Sequence, residues 1–99
     1  MNERTSWSEL RDKRMAEPGA ADAYQAAALA YELGRTVREL RVEHGWSQRE
    51  LAAAAHMTQS AVARFEAGGT VPSLPVLQRI ADALDADLTV AVTSRHSAA

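Results

Sequence analysis

The chain has 99 residues, no cysteine and a net charge of −2. That is the size of one modest domain, and it excludes a disulfide framework, a thiolate metal site and a cysteine nucleophile. No apolar run approaches the roughly 20 residues that span a bilayer, and the polar N-terminus is no signal peptide, so a cytoplasmic protein with no membrane partner is expected.

The first element is announced by Ser6-Trp7-Ser8-Glu9, a capping-box pattern with Ser6 at the N-cap and Glu9 three residues on. A short helix over residues 6–15 would place Trp7, Leu10 and Arg14 on one face, and Pro18-Gly19 would end it. An alanine-rich stretch over residues 20–43 follows. Leu29, Leu33, Val37 and Leu40 recur there at helical spacing, extended by Tyr24 and Tyr31, and Gly45 supplies the stop. Ser47-Gln48-Arg49-Glu50 is a second capping box, with Trp46 and Leu51 placed as its hydrophobic staple. That helix should run to about Ala55. A turn at His56-Met57 leads to Thr58, the N-cap of a third helix on which Val62 and Phe65 face inward and which Gly68-Gly69 ends. Pro72 and Ser73 open another helix, with Leu74, Leu77, Ile80, Ala81 and Leu84 as its apolar stripe. Residues 88–93 carry large apolar side chains at every second position, Leu88, Val90 and Val92, and read as one strand. A lone strand leaves its edges unpaired. The same strand of a second chain would satisfy them, giving a two-fold homodimer.

Charge is distributed unevenly. Between Arg35 and Arg79 six bases face four acids, whereas residues 1–34 hold four bases and six acids, and residues 80–99 one base and three acids. A mildly basic middle between acidic flanks permits DNA binding without diagnosing it.

The two short helices from Ser47 to Gly68 carry the function. Two such helices joined by a three- or four-residue turn read DNA when the second enters the major groove. Ala52 is small enough to let them pack closely. Gln59, Ser60, Ala63 and Arg64 are then left pointing outward. Glutamine pairs with adenine, arginine with guanine and serine with either. Gln48 and Thr58 sit at helix N-termini, where backbone N–H groups accept phosphate oxygens.

The run SQRELAAAAHMTQSAVARFEAG, followed by PSLPVLQRIADAL, resembles the Xre or lambdoid-repressor type of helix-turn-helix. The resemblance implies an all-α, five-helix lambda-repressor-like bundle, here with an N-terminal extension helix and one C-terminal dimerisation strand. It also implies phosphate contacts from Gln48, Arg49 and Thr58 and base contacts from Gln59, Ser60 and Arg64. His56 and Asp85 stand where this type usually has glycine, and both residue types tolerate the left-handed conformation. The terminal strand after ALDADL resembles that of HigA-like and HipB-like antitoxins of type II toxin–antitoxin pairs, and the stretch WSELRDKRMAEPGAADAYQAAALAYELGRTVRELR is similar to actinobacterial HigA-like antitoxins of RelE/HigB-type toxins. On that likeness the chain would bind a palindromic operator of double-stranded DNA, autorepress its operon and mask a cognate RelE/HigB-type toxin. Trp7, Leu10 and Arg14 would then be partner-binding residues. The expected organisation is residues 1–19 as extension, 20–85 as DNA-binding domain and 86–99 as strand and tail.

Two alternatives stay open: a free-standing Xre-type regulator such as a prophage repressor, and a protein-binding adaptor without DNA affinity. No cofactor is expected. His44, His56 and His96 lack ligand spacing for a metal, and no catalytic constellation supports an enzyme. Arg35, Arg38 and Arg41 would form a solvated face paired with Glu39 and Glu43, or line a DNA backbone. Arg79 is expected to pair with Glu66 or Asp82.

Overall fold

A computed structural model describes residues 19–96. The expected helix over residues 6–15, and with it Trp7, Leu10 and Arg14, lies outside the described residues. Four helices follow in order: α1 (Ala20–Glu43), α2 (Gln48–Ala55), α3 (Gln59–Glu66) and α4 (Leu74–Ala83). The all-α class is as expected, but the described residues hold four helices rather than five. The expected strand is absent from them too, and residues 86–94 take no regular structure. A strand needs a neighbour for its N–H and C=O groups, and the described part of the chain offers none.

The helix starts follow the sequence chemistry. Ser47 caps α2 with its hydroxyl accepting from the Glu50 N–H, and the Glu50 carboxylate accepts from the Ser47 N–H in return, at 3.0 and 2.8 Å. Thr58 caps α3 by accepting from the Ala61 N–H at 3.1 Å. Helix ends share one device. A residue just past each helix turns left-handed and the next N–H reaches back five residues, which satisfies a terminal carbonyl. The left-handed residues are Gly45, His56, Gly68 and Asp85. The bonds run from Trp46 to the Arg41 carbonyl, Met57 to Ala52, Gly69 to Arg64 and Ala86 to Ala81, at 2.8–3.1 Å. His56 and Asp85 therefore adopt the conformation expected of them, with φ of 57° and 54°.

α2 packs against α3 and α4, and α1 lies across α3. Phe65, Leu51, Ile80 and Val62 are the large side chains at the centre of the core. Ala52, 3% exposed, provides the expected close approach, and Trp46 and Leu88 pack against the cluster from its edge. Periodicity overstates burial in two places. Leu74, the first residue of α4, remains exposed. Tyr24 and Leu29 are also exposed, because α1 carries its buried residues only from Ala30 onward, and Tyr31 is exposed although it lies beside Gly68.

The α1–α3 crossing rests on Gly34, a buried residue within α1. A Cβ there would overlap the Phe65 carbonyl oxygen and stand 3.1 Å from that of Glu66. Both are backbone atoms at the end of α3, so neither can swing aside. Gly34→Ala is therefore expected to lower stability by about 1–3 kcal/mol through overpacking, although alanine is the better helix former by roughly 1 kcal/mol. Urea denaturation of the two proteins measures the difference. Equal or higher stability of the variant would show that the crossing is not tight.

Candidate nucleic-acid interface

α3 is eight residues long, and its burial alternates with helical period. Val62, Phe65 and Glu66 are buried, Ser60 and Arg64 are exposed on the opposite side, Gln59 is exposed at the first turn, and Ala63 is half-buried. The three polar candidates on this helix are thus all exposed. Thr58 is exposed at its start. Gln48 and Arg49 lie at the start of α2, and with Arg41, Ser47 and Gln59 they line one open cleft. The structure therefore groups Gln48, Arg49 and Gln59, and leaves Ser60 and Arg64 further along α3.

A polar network fixes this arrangement from beneath. Arg41 on α1 and Glu66 at the end of α3 form a bidentate pair: Nε donates to one carboxylate oxygen at 2.7 Å and the second guanidinium arm to the other at 2.9 Å. The remaining arm of Arg41 donates to the Trp46 carbonyl at 2.8 Å. The side chains are 11% and 2% exposed, so the pair is almost dry. Hydrogen bonding to Glu66 raises the Arg41 pKa above its ordinary value, against the burial that lowers it. Gln48 Nε2 then donates to Glu66 Oε1 at 3.2 Å, and Gln59 Nε2 donates to Gln48 Oε1 at 3.1 Å. A chain of contacts thus runs from a buried carboxylate to the exposed amide of Gln59. That amide keeps its second N–H and its carbonyl oxygen, the donor and acceptor that a glutamine offers to an adenine edge.

Sequence reasoning missed this network. Arg41 was expected on a solvated face with Arg35 and Arg38, but it turns inward to Glu66. Arg35 does meet Glu39, at 4.0 Å and in the open. Arg79 pairs with neither expected acid: its Nε donates to the Ala55 carbonyl at 2.9 Å, at the C-terminus of α2. Glu66 is taken by Arg41, and Asp82 accepts from Gln78. One signal was available. Glu66 lies one residue after Phe65 on the buried side of α3, and a carboxylate there requires a cation.

Removing one partner of a buried pair strands the other charge. Glu66→Ala is expected to cost about 3–5 kcal/mol. The double variant Arg41→Met/Glu66→Leu, which fills the same space without charge, is expected to recover most of that stability. Because it still lacks the acceptor for Gln48, it should not recover DNA affinity. Thermal melts and DNA titrations of the three proteins check both halves; a double variant as unstable as Glu66→Ala would show that packing, not charge, is at stake.

Among the described residues no helix is long and apolar enough to cross a membrane. No curated protein matches the chain. The crystal structure of the restriction-modification controller protein C.AhdI from Aeromonas hydrophila is similar, with a TM-score of 0.59 and 35% identity over 61% of this chain and 91% of that one. A family model described as "Helix-turn-helix domain" matches residues 32–92, more than half of the sequence. The chain belongs to that helix-turn-helix domain family.

Proposed function

We propose that this protein is a sequence-specific DNA-binding transcription regulator. The observation that carries the reading is the exposed face of α3, with Gln59, Ser60 and Arg64 directed away from the core and Gln59 held by Gln48. α3 enters the major groove. Gln59 reads adenine, Arg64 reads guanine through its paired N–H groups, and Ser60 accepts from or donates to a neighbouring base edge. Gln48, Arg49 and Thr58 hold the phosphates on either side and set the register of the helix. The protein acts by binding DNA, without a cofactor.

Arg64→Ala is expected to weaken binding to the operator by about 1–3 kcal/mol and to relax preference at one position of each half-site. Arg49→Ala is expected to weaken binding to all sequences alike and to flatten the salt dependence. Titrations of both variants against the native upstream region and its single-base variants make the comparison. An Arg64→Ala protein with unchanged affinity and base preference would remove α3 from the groove.

The operator is palindromic and the protein binds it as a homodimer. Leu88, Val90 and Val92 form the contact between copies. Val90 and Val92 are 64% and 98% exposed, a poor arrangement for apolar side chains unless another surface covers them. Two such segments pairing across a two-fold axis would give each a neighbour and set the recognition helices about one turn of DNA, ~34 Å, apart. A chain ending at Ala86 is expected to sediment as a monomer and to lose most operator affinity. An unchanged dimer after that truncation would place the interface elsewhere.

The free-standing regulator is the better supported setting for this activity, since a solved relative is a controller protein. The antitoxin setting, in which Trp7, Leu10 and Arg14 grip a toxin, rests on likeness in the flanking segments. A toxin-like reading frame beside the gene, and co-purification of its product with this chain, would establish it.

A further inference from the structure

On α3, Gln59, Ser60 and Arg64 are exposed, as is the C-cap residue Ala67, and Ala63 is half-buried. The three polar residues have bases assigned to them. Ala63 has none, yet it stands among them. It follows Gln59 by four residues and Ser60 by three, so it lies one turn beyond both, and Arg64 is the next residue. Viewed along the axis, the direction of Ala63 falls between those of Gln59 and Ser60. The helix stays regular past this point, because the Ala67 N–H donates to the Ala63 carbonyl at 3.1 Å. The side chain of Ala63 is a single methyl group, whereas Gln59 and Arg64 beside it carry long polar ones. The residues therefore form a shallow apolar recess with polar walls.

Such a recess has a chemical counterpart in the major groove. Thymine alone projects a C5-methyl group there, while the remaining edges present donors and acceptors. A hydrogen-bonding edge placed against Ala63 would lose water and find no partner, which costs free energy. The bare C5–H of a cytosine would leave a gap and forfeit dispersion contacts. A thymine methyl fills the space. We infer, on the reading that α3 lies in the major groove, that Ala63 is a specificity-determining residue whose methyl packs on the C5-methyl of a thymine in each half-site. Its place is bounded by the helix. Side chains four residues apart have Cβ atoms ~5–6 Å from each other, and successive base pairs are ~3.4 Å apart. The thymine therefore lies within about two base pairs of the adenine read by Gln59. The same recess explains why a small residue suits this position. A bulky side chain at Ala63 would stand between the helix and the groove floor and withdraw the short side chains of Gln59 and Ser60 from the bases.

The test uses the whole chain and the native upstream region, scanned with single thymine-to-uracil replacements that remove only the C5-methyl. For the natural protein, one replacement in a half-site is expected to weaken binding about four-fold, the effect of withdrawing one methyl group from apolar contact. Ala63→Gly is expected to bind the thymine and uracil DNAs equally. Glycine also weakens the helix, but that loss falls on both DNAs alike, so the ratio of the two affinities isolates the contact. Ala63→Ser keeps the Cβ and places a hydroxyl in the recess; it is expected to bind the uracil DNA at least as tightly as the thymine DNA. A natural protein that binds every uracil DNA as tightly as the unmodified one would overturn the inference while leaving α3 in the groove. A four-fold effect that persists in both variants would overturn it too and assign the preference to DNA shape. Indifference of the natural protein to every base change would instead remove α3 from the groove, and the inference with it.

Discussion

The ion pair between Arg41 and Glu66 fixes how the candidate DNA-contact residues relate to the core. Its two residues stand 25 positions apart on α1 and α3, and the third arm of Arg41 holds the turn before α2 through the Trp46 carbonyl. Three helices are thus referenced to one guanidinium. Such a pair adds little net stability, because desolvation of two charges offsets most of their attraction. Its gain is geometric. A planar fork bonded to both carboxylate oxygens admits one orientation, and the same carboxylate still accepts from Gln48. The position of Gln59 is therefore inherited from the interior rather than left to a flexible surface side chain.

The second constraint is steric and lies at the same end of α3. Gly34 lets the α1 backbone come within contact of the Phe65 and Glu66 carbonyls. This close crossing thus sits directly beside the ion pair. A shift of α1 by one methyl group would displace Glu66, and with it Gln48 and Gln59. The alanine-rich first half of α1 lies beyond this point.

Most of the fold was legible because its local signals agree with one another. The Ser47 capping box, the Thr58 cap, the inward residues Val62 and Phe65 and the stripe through Leu77 and Ile80 all point to the same helices. His56 and Asp85 were recognisable as left-handed positions despite not being glycine. What failed were inferences that need a partner. Period-2 alternation at Leu88, Val90 and Val92 describes a surface, but a strand exists only where another strand pairs with it. Helical spacing in Tyr24, Leu29 and Tyr31 shows which side of α1 is apolar, not whether anything reaches it. Of the candidate site, the outward face of α3 followed from helical period alone. The Arg41–Glu66–Gln48–Gln59 chain did not, because it joins residues distant in sequence and Arg41 looked like one of three equivalent surface arginines.

The fate of the arginines bears on how a chain of net charge −2 can hold DNA. Of the six bases between Arg35 and Arg79, Arg41 is committed to Glu66 and Trp46, Arg79 to the Ala55 carbonyl, and Arg35 lies near Glu39. Arg49 and Arg64 belong to the candidate interface, and Arg38 is exposed on α1. Few positive charges between Arg35 and Arg79 thus remain to release counterions from the phosphate backbone, and that release supplies most non-specific affinity. A single copy would be a weak binder with little hold on random sequence. Base contacts from Gln59, Ser60 and Arg64 would then make up an unusually large share of the binding energy, and pairing two copies on one palindrome would multiply that share without adding a general attraction to DNA. On this reasoning the low charge favours discrimination over affinity.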